Sequence, residues 1–252
     1  MKKHTKYTVA VTLAILATTL PSHASTLAAV LADDTCVIQG SPTFNYGASP
    51  NLHLIGTSNA HRWTYLKFDL TYLKYDPVTK VSTPASLSEV VKPEDIESAE
   101  VRIFVNNVTA AGSFAVYTVQ ASWIEGSKAG AASVPAAAPT ELNWNNKPAS
   151  DAVQEGLTAV GVPTVYSLAA TDEREFKRLD VTELVKDWMT SPNPAANFGI
   201  VLKPIGTTVS ATFDSKEQTT TGNRPSLVIT LVKKRTPARG DLSMGTFTNP
   251  AP

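Results

Sequence analysis

An all-β fold, an antiparallel jelly-roll-like β-sandwich with one or two short helices, is predicted by three features of this 252-residue sequence. Six short runs carry strand periodicity, and turn-forming residues separate them. Only two stretches have helical character, and they do not alternate with the strands as the crossover units of a parallel sheet require. A single Cys leaves no intramolecular disulfide and no cysteine-rich zinc site, so the fold must rest on its apolar core.

The chain begins with the three parts of a secretory signal peptide. Lys2, Lys3 and Lys6 precede an apolar stretch from Tyr7 to Leu20, and Pro21-Ser22-His23-Ala24-Ser25 supplies the small residues. Cleavage is expected after Ala24. Thr26 to Ala32 continues the apolar character, so cleavage after Ala32 and an uncleaved anchor stand as alternatives, although Pro21 and His23 interrupt the span of roughly 20 residues a membrane helix needs. Residues 1–24 are thus assigned to the signal, 33–232 to the sandwich and 233–252 to a mobile tail that starts basic and continues as a Gly/Pro/Thr/Asn mixture. The mature chain is expected outside the cytoplasm, secreted, at the cell surface or in a periplasm, without a membrane span.

Along that mature chain, Cys36 reads as a small, partly buried strand residue. Strands are expected at Thr64 to Leu70, Ala99 to Asn106, Ser113 to Gln120, Phe198 to Lys203, Ser210 to Asp214 and Ser226 to Val232. In the first, a period of two sets Leu66, Phe68 and Leu70 on one face and Tyr65, Lys67 and Asp69 on the other. Likewise Val101, Ile103 and Val105 oppose Arg102, Phe104 and Asn106. A helix is expected to start at Asp180 as N-cap, with Glu183 three residues on, and to end before Ser191-Pro192-Asn193-Pro194. Pro93-Glu94-Asp95-Ile96 reads as a turn before a strand. The insertions Tyr75 to Val91 and Gly126 to Thr140 read as exposed loops.

The charge balance excludes one large class of function. With 22 Lys+Arg against 22 Asp+Glu and no basic block, the chain lacks the footprint that duplex nucleic acid requires. Removing the leader takes three lysines and no acid, leaving 19 basic and 22 acidic residues. It also leaves His53 and His61 as the only imidazoles.

The order of short motifs carries a resemblance. They run Asn45-Tyr46-Gly47; Arg62 leading into Leu66-Lys67-Phe68-Asp69-Leu70; Ser98 to Val105; Ser122-Trp123-Ile124-Glu125; and Asn143-Trp144-Asn145-Asn146-Lys147-Pro148. Asp180 to Val185, Phe198 to Lys203, Phe213-Asp214-Ser215-Lys216-Glu217 and Arg224 to Ile229 follow. Together the series resembles the DNRLRE domain family, also classed as carbohydrate-binding module family 96, over about Asp34 to Val232. The resemblance implies a non-catalytic sandwich that binds acidic polysaccharide, alginate being the characterised class, and that usually accompanies a lyase or another surface enzyme. No catalytic domain is present, so such an enzyme partner would act in trans. Two departures stand out. Lys216 replaces the usual Arg of a Ser-Arg-Glu segment, trading a two-pronged donor for a point charge, and the Gly126 to Thr140 insertion widens the spacing of the two tryptophan motifs.

A polyuronate presents one carboxylate per sugar, so its site needs spaced Lys or Arg donors and a flat aromatic for stacking. Arg62, Lys67, Lys216, Lys203 and Arg224 are the candidate cations, and Trp63 and Tyr65 the candidate stacking rings. The structural alternative is that Arg62 or Lys67 pairs with Asp69 or Glu217 to hold strands together, and that Arg224 and Lys203, next to prolines, serve strand ends. Trp123, Trp144 and Trp188 read as packed indoles. Two other functions remain open: an adhesive surface protein that binds proteins through an edge strand or the tail, and a lyase built on His53, His61, Tyr65 and Arg62. No cofactor is expected; a structural Ca²⁺ that Asp33 and Asp34 help to bind stands as an alternative, although a lone acidic pair supplies few of the roughly six to eight oxygens that ion takes.

Overall fold

The computed structural model describes residues 26–57, 59–75, 78, 82–132, 140–148, 164–191 and 197–232. The signal peptide, the tail and the Pro192-Asn193-Pro194 stop lie outside these residues. The strands are β1 (Thr26–Ile38), β2 (Phe44–Asn45), β3 (Asn51–Ile55), β4 (Arg62–Asp69), β5 (Thr71–Tyr75), β6 (Ser82–Ser86), β7 (Ile96–Ala110) and β8 (Gly112–Thr118). They continue as β9 (Ala131–Ala132), β10 (Val165–Leu168), β11 (Phe176–Asp180), β12 (Ile200–Ile205), β13 (Ser210–Asp214) and β14 (Ser226–Leu231), and α1 spans Thr182–Thr190.

The result is the all-β sandwich that the sequence predicts, made from one curled antiparallel sheet. Two long strands belong to both layers. Thr26 to Ala29 of β1 pair with β14, and Val30 to Ile38 pair with β4, with an irregularity between Leu31 and Asp33. Ile96 to Arg102 of β7 pair with β14, with β11 on its other edge, whereas Val105 to Ala110 pair with β13. One layer therefore runs β11-β7-β14-β1 and the other β1-β4-β12-β8-β10, joined through β13 and β3. The bulges let a strand bend from one layer into the next without leaving its backbone groups unpaired.

Between the layers lies a core that includes Leu66 and Phe68 of β4, Val101, Ile103 and Val105 of β7, Phe114, Leu202, Phe213 and Leu227. The inward sets predicted for β4 and β7 are thus the buried ones, with Leu70 packed at the margin. The helix begins one residue later than its sequence suggests. Val181 is buried and its N–H donates to Ala99 O, which keeps this residue outside the helix as its N-cap. Asp180 still serves the helix start, its Oδ1 accepting from the Thr182 N–H at 2.9 Å and hydroxyl at 2.6 Å.

Among its described residues, the stretch from Tyr75 to Val91 is not simply an exposed loop. Strand β6 pairs with β5, and a 3₁₀ turn at Leu87–Glu89 carries Leu87 and Val91 into the core. The two apolar side chains are diluted by polar neighbours and prolines, so periodicity does not reveal them. Cys36 sits on a strand as expected but is completely buried, and burial pushes its thiol up to about 12, leaving it unreactive at neutral pH.

Candidate functional site

The outward face of β4, β12 and β8 is covered for part of its length by the segments 122–132 and 140–147 of one covering loop. Under it lies a second core of Val37, Tyr65, Val119, Trp123, Leu142 and Val201. Trp123 closes it, with Nε1 donating to Phe198 O at 2.7 Å and its ring edge-on to Tyr65 at 5.8 Å. Asn45 fastens the cover from below. Buried completely, it donates through Nδ2 to Glu125 O (2.6 Å) and Leu142 O (2.9 Å) and accepts at Oδ1 from the N–H groups of Gly47 and Lys128. Gly47 follows because a Cβ there would overlap the Glu125 carbonyl. The Asn-Tyr-Gly motif is therefore the anchor of the covering loop.

Where the cover ends, a groove of about 290 Å³ opens, lined by His61, Trp63, Tyr117, Trp144, Lys147, Lys203 and Pro204. Trp63 comes from β4, Tyr117 from β8 and Lys203 from β12. Trp144 and Lys147 arrive on a tight turn in which Asn143 Oδ1 accepts from the N–H groups of Asn145 and Asn146. The two indoles meet at 5.0 Å between centroids, tilted by 56°. Lys203 Nζ lies 4.4 Å from the Trp63 centroid and 4.9 Å from that of Tyr117. Lys147 Nζ lies 4.4 Å from the Trp144 ring and 5.5 Å from Trp63, and donates to Trp144 O at 3.1 Å. Among the described residues that line it there is no carboxylate. The groove thus combines two ammonium groups with three ring systems, the pairing that grips an anionic group and an apolar sugar face together.

Of the candidate residues, Trp63 and Lys203 share this groove; the others lie elsewhere. Tyr65, on the outward side of β4 as its parity requires, is fully buried beneath the cover and presents no face to a ligand. Lys67 faces Asp33 across the β1–β4 pair at 3.5 Å and lines a separate cavity of about 510 Å³ with Asp69, Trp188 and Phe198. Lys216 is held by Glu125 Oε2 at 2.5 Å and Ala32 O at 2.8 Å. Arg224 braces a turn, its Nε and Nη2 both donating to Gln218 O at 3.1 Å. Arg62 Nη1 lies 3.2 Å from His53 Nδ1. Of the His53, His61, Tyr65 and Arg62 group, His61 alone lines the groove. Trp144 and Lys147 belong to the motif that the sequence singles out, but Tyr117 carries no local signal beyond its strand parity.

His53 lies on a strand, half-buried, and burial first and the Arg62 guanidinium second push its pKa down to about 4. A folded-state value below the unfolded one of 6.5 means that the stability is complete above about pH 6.5 and lost as the pH falls through 4. Wild-type protein should lose about 2 kcal/mol more than His53→Gln between pH 7 and pH 4, after allowance for the partial solvation of the ring, as read by urea denaturation at each pH. Parallel profiles for the two proteins would refute this.

A β-sandwich whose outer face carries an aromatic groove rimmed by lysines has the design of a carbohydrate-binding module, a protein that holds a sugar chain on a rigid sheet surface. The sequence matches Carbohydrate-binding module family 96 over residues 86–231, more than half of its length. The chain belongs to that family, and its partner is a polysaccharide. The match includes Tyr117, Trp144, Lys147, Lys203 and Pro204 of the groove, whereas His61 and Trp63 precede it. No curated protein matches the chain. Among the described residues no helix is long and apolar enough to cross a membrane.

Proposed function

We propose that this protein is an exported, non-catalytic module that binds an acidic polysaccharide of the alginate kind in the groove between Trp63, Trp144, Tyr117, Lys147 and Lys203. The observation that carries the reading is the placement of two ammonium groups over aromatic rings in one groove. A sugar carboxylate pairs with the ammonium groups while its ring C–H face packs on indole. The remaining candidates, Lys67, Arg62, Lys216 and Arg224, act in this reading on strand pairing and turn geometry. Binding without transformation makes the module a targeting device, working alone or in trans with a carbohydrate-active enzyme.

Calorimetric titration with oligouronates and with neutral oligosaccharides of equal length tests the function. A dissociation constant of about 10 µM to 1 mM is expected for the uronates, weakening as salt is added, with little response to the neutral chains. Equal heats from both series, or none from either, would overturn it. Export includes cleavage after Ala24, because cleavage after Ala32 would remove the segment of β1 that pairs with β14 and packs Leu27, Ala29 and Leu31 on the core. Secreted material should therefore begin at Ser25, and an intact mass beginning at Asp33 would contradict this.

A further inference from the structure

Outside the groove lining, three carboxylates converge. One oxygen from each of Asp34, Glu125 and Glu217 lies within 4.8 Å of one from each of the others. They come from β1, from the loop over the second core and from the turn after β13, so residues distant in sequence are brought to one point. Asp34 is only 1% exposed. Its Oδ2 accepts from the Lys216 N–H at 2.7 Å, but its Oδ1 is buried and has no hydrogen-bond partner. Glu217 Oε2 is buried and unpartnered in the same way. Glu125 is held in position at both oxygens, Oε1 by the Asp34 N–H at 2.8 Å and Oε2 by Lys216 Nζ.

The charge of this cluster does not balance. Three carboxylates face one ammonium, and Lys216 is engaged by Glu125 and Ala32 O on its own side. Ionised carboxylate oxygens that are buried without a donor are strongly disfavoured, and either a shared proton or a cation between them relieves that cost. A divalent cation brings the cluster to neutrality. We propose that Asp34, Glu125 and Glu217 form a calcium site that ties the start of the sandwich to the covering loop and to the turn after β13. The ligands are hard oxygens, the type calcium selects, and Ca²⁺–oxygen distances of about 2.3–2.6 Å allow donors across an ion to stand as far apart as these do. Glu125 and Glu217 are each partly exposed, which leaves a side open for water to complete the coordination. The ion's place is structural: it bridges β1, the cover and the β13 turn, and it is separate from the sugar groove.

The test uses the full mature chain, stripped with EDTA and returned to buffered NaCl. Addition of about 1 mM CaCl₂ at constant ionic strength should raise the melting temperature by about 5 °C, and calorimetry should give one site per chain. Glu217→Gln and Asp34→Asn should each abolish the shift; Glu217 is the less buried of the two, so its variant carries the test if Asp34→Asn does not fold. A melting temperature indifferent to CaCl₂, MgCl₂ and MnCl₂ would overturn the site and leave a shared proton as what holds Asp34 beside Glu217. A response to MgCl₂ or MnCl₂ without CaCl₂ would overturn the assignment to calcium. A calcium shift that persists in both variants would move the ion away from these residues.

Discussion

Trp63→Ala is expected to weaken uronate binding at least tenfold, a loss of about 1.4 kcal/mol or more, while leaving the fold intact. Trp63 stands at the centre of the proposed groove, in contact with Trp144 and below both Lys147 and Lys203. Removing its ring takes away the stacking surface and the support that holds two ammonium groups in one place. Lys203→Ala makes the complementary change. It should weaken binding of charged oligomers by a similar factor, flatten the salt dependence and leave any weak response to neutral chains unaltered, because the ring faces remain. Lys216→Met should act on stability instead, since that ammonium is engaged by Glu125 and Ala32 O. Titration of the three variants with one oligouronate, beside a melting curve for each, separates these outcomes. Unchanged affinity in both Trp63→Ala and Lys203→Ala would remove the groove from the binding reaction.

Gly199→Ala should be the most damaging small substitution in the sandwich, costing about 3 kcal/mol or more. Gly199 has φ +86°, a conformation that disfavours any side chain, and a Cβ there would overlap the Leu66 carbonyl oxygen of β4. The position cannot shift freely. Its N–H donates to Asn197 Oδ1 at 3.2 Å, its carbonyl accepts from the Val119 N–H at 3.0 Å, and Asn197 Nδ2 donates to Phe68 O at 2.8 Å. These bonds set the entry of β12 between β4 and β8, the strands that carry Lys203, Trp63 and Tyr117. Both stability in urea and sugar affinity should therefore fall together. A variant within 0.5 kcal/mol of wild type, on the order of an ordinary surface change, would show that the strand entry tolerates a side chain.

Parity along a strand was legible because it is local. Successive side chains alternate sides whatever the strand pairs with, so the Leu66/Phe68 and Val101/Ile103/Val105 faces follow from the residues themselves. The same rule put Tyr65 and Lys67 on the outward side, and both are there. What parity does not contain is whether anything covers that side. Tyr65 is closed off by Trp123 and Leu142 of a distant loop, whereas Trp63, two residues earlier on the same face, stays at the open end. Strands β3 and β11 are short and interspersed with His, Asn, Lys and Arg, and take their conformation from the neighbours they pair with rather than from their own composition.

The charged candidates divide by the same principle. A lysine's type and strand side are written in the sequence, but its partner is not. Lys67 faces Asp33, Lys216 meets Glu125 and Lys203 meets two aromatic rings, and each partner lies far along the chain or on a neighbouring strand. The sequence by itself determined the sandwich class, the inward faces of its principal strands and the order of motifs that marks the family. Only the tertiary structure decided which outward rings stay uncovered and which ammonium groups join them, because both depend on where the segments 122–132 and 140–147 lie, pinned by Asn45 from across the fold.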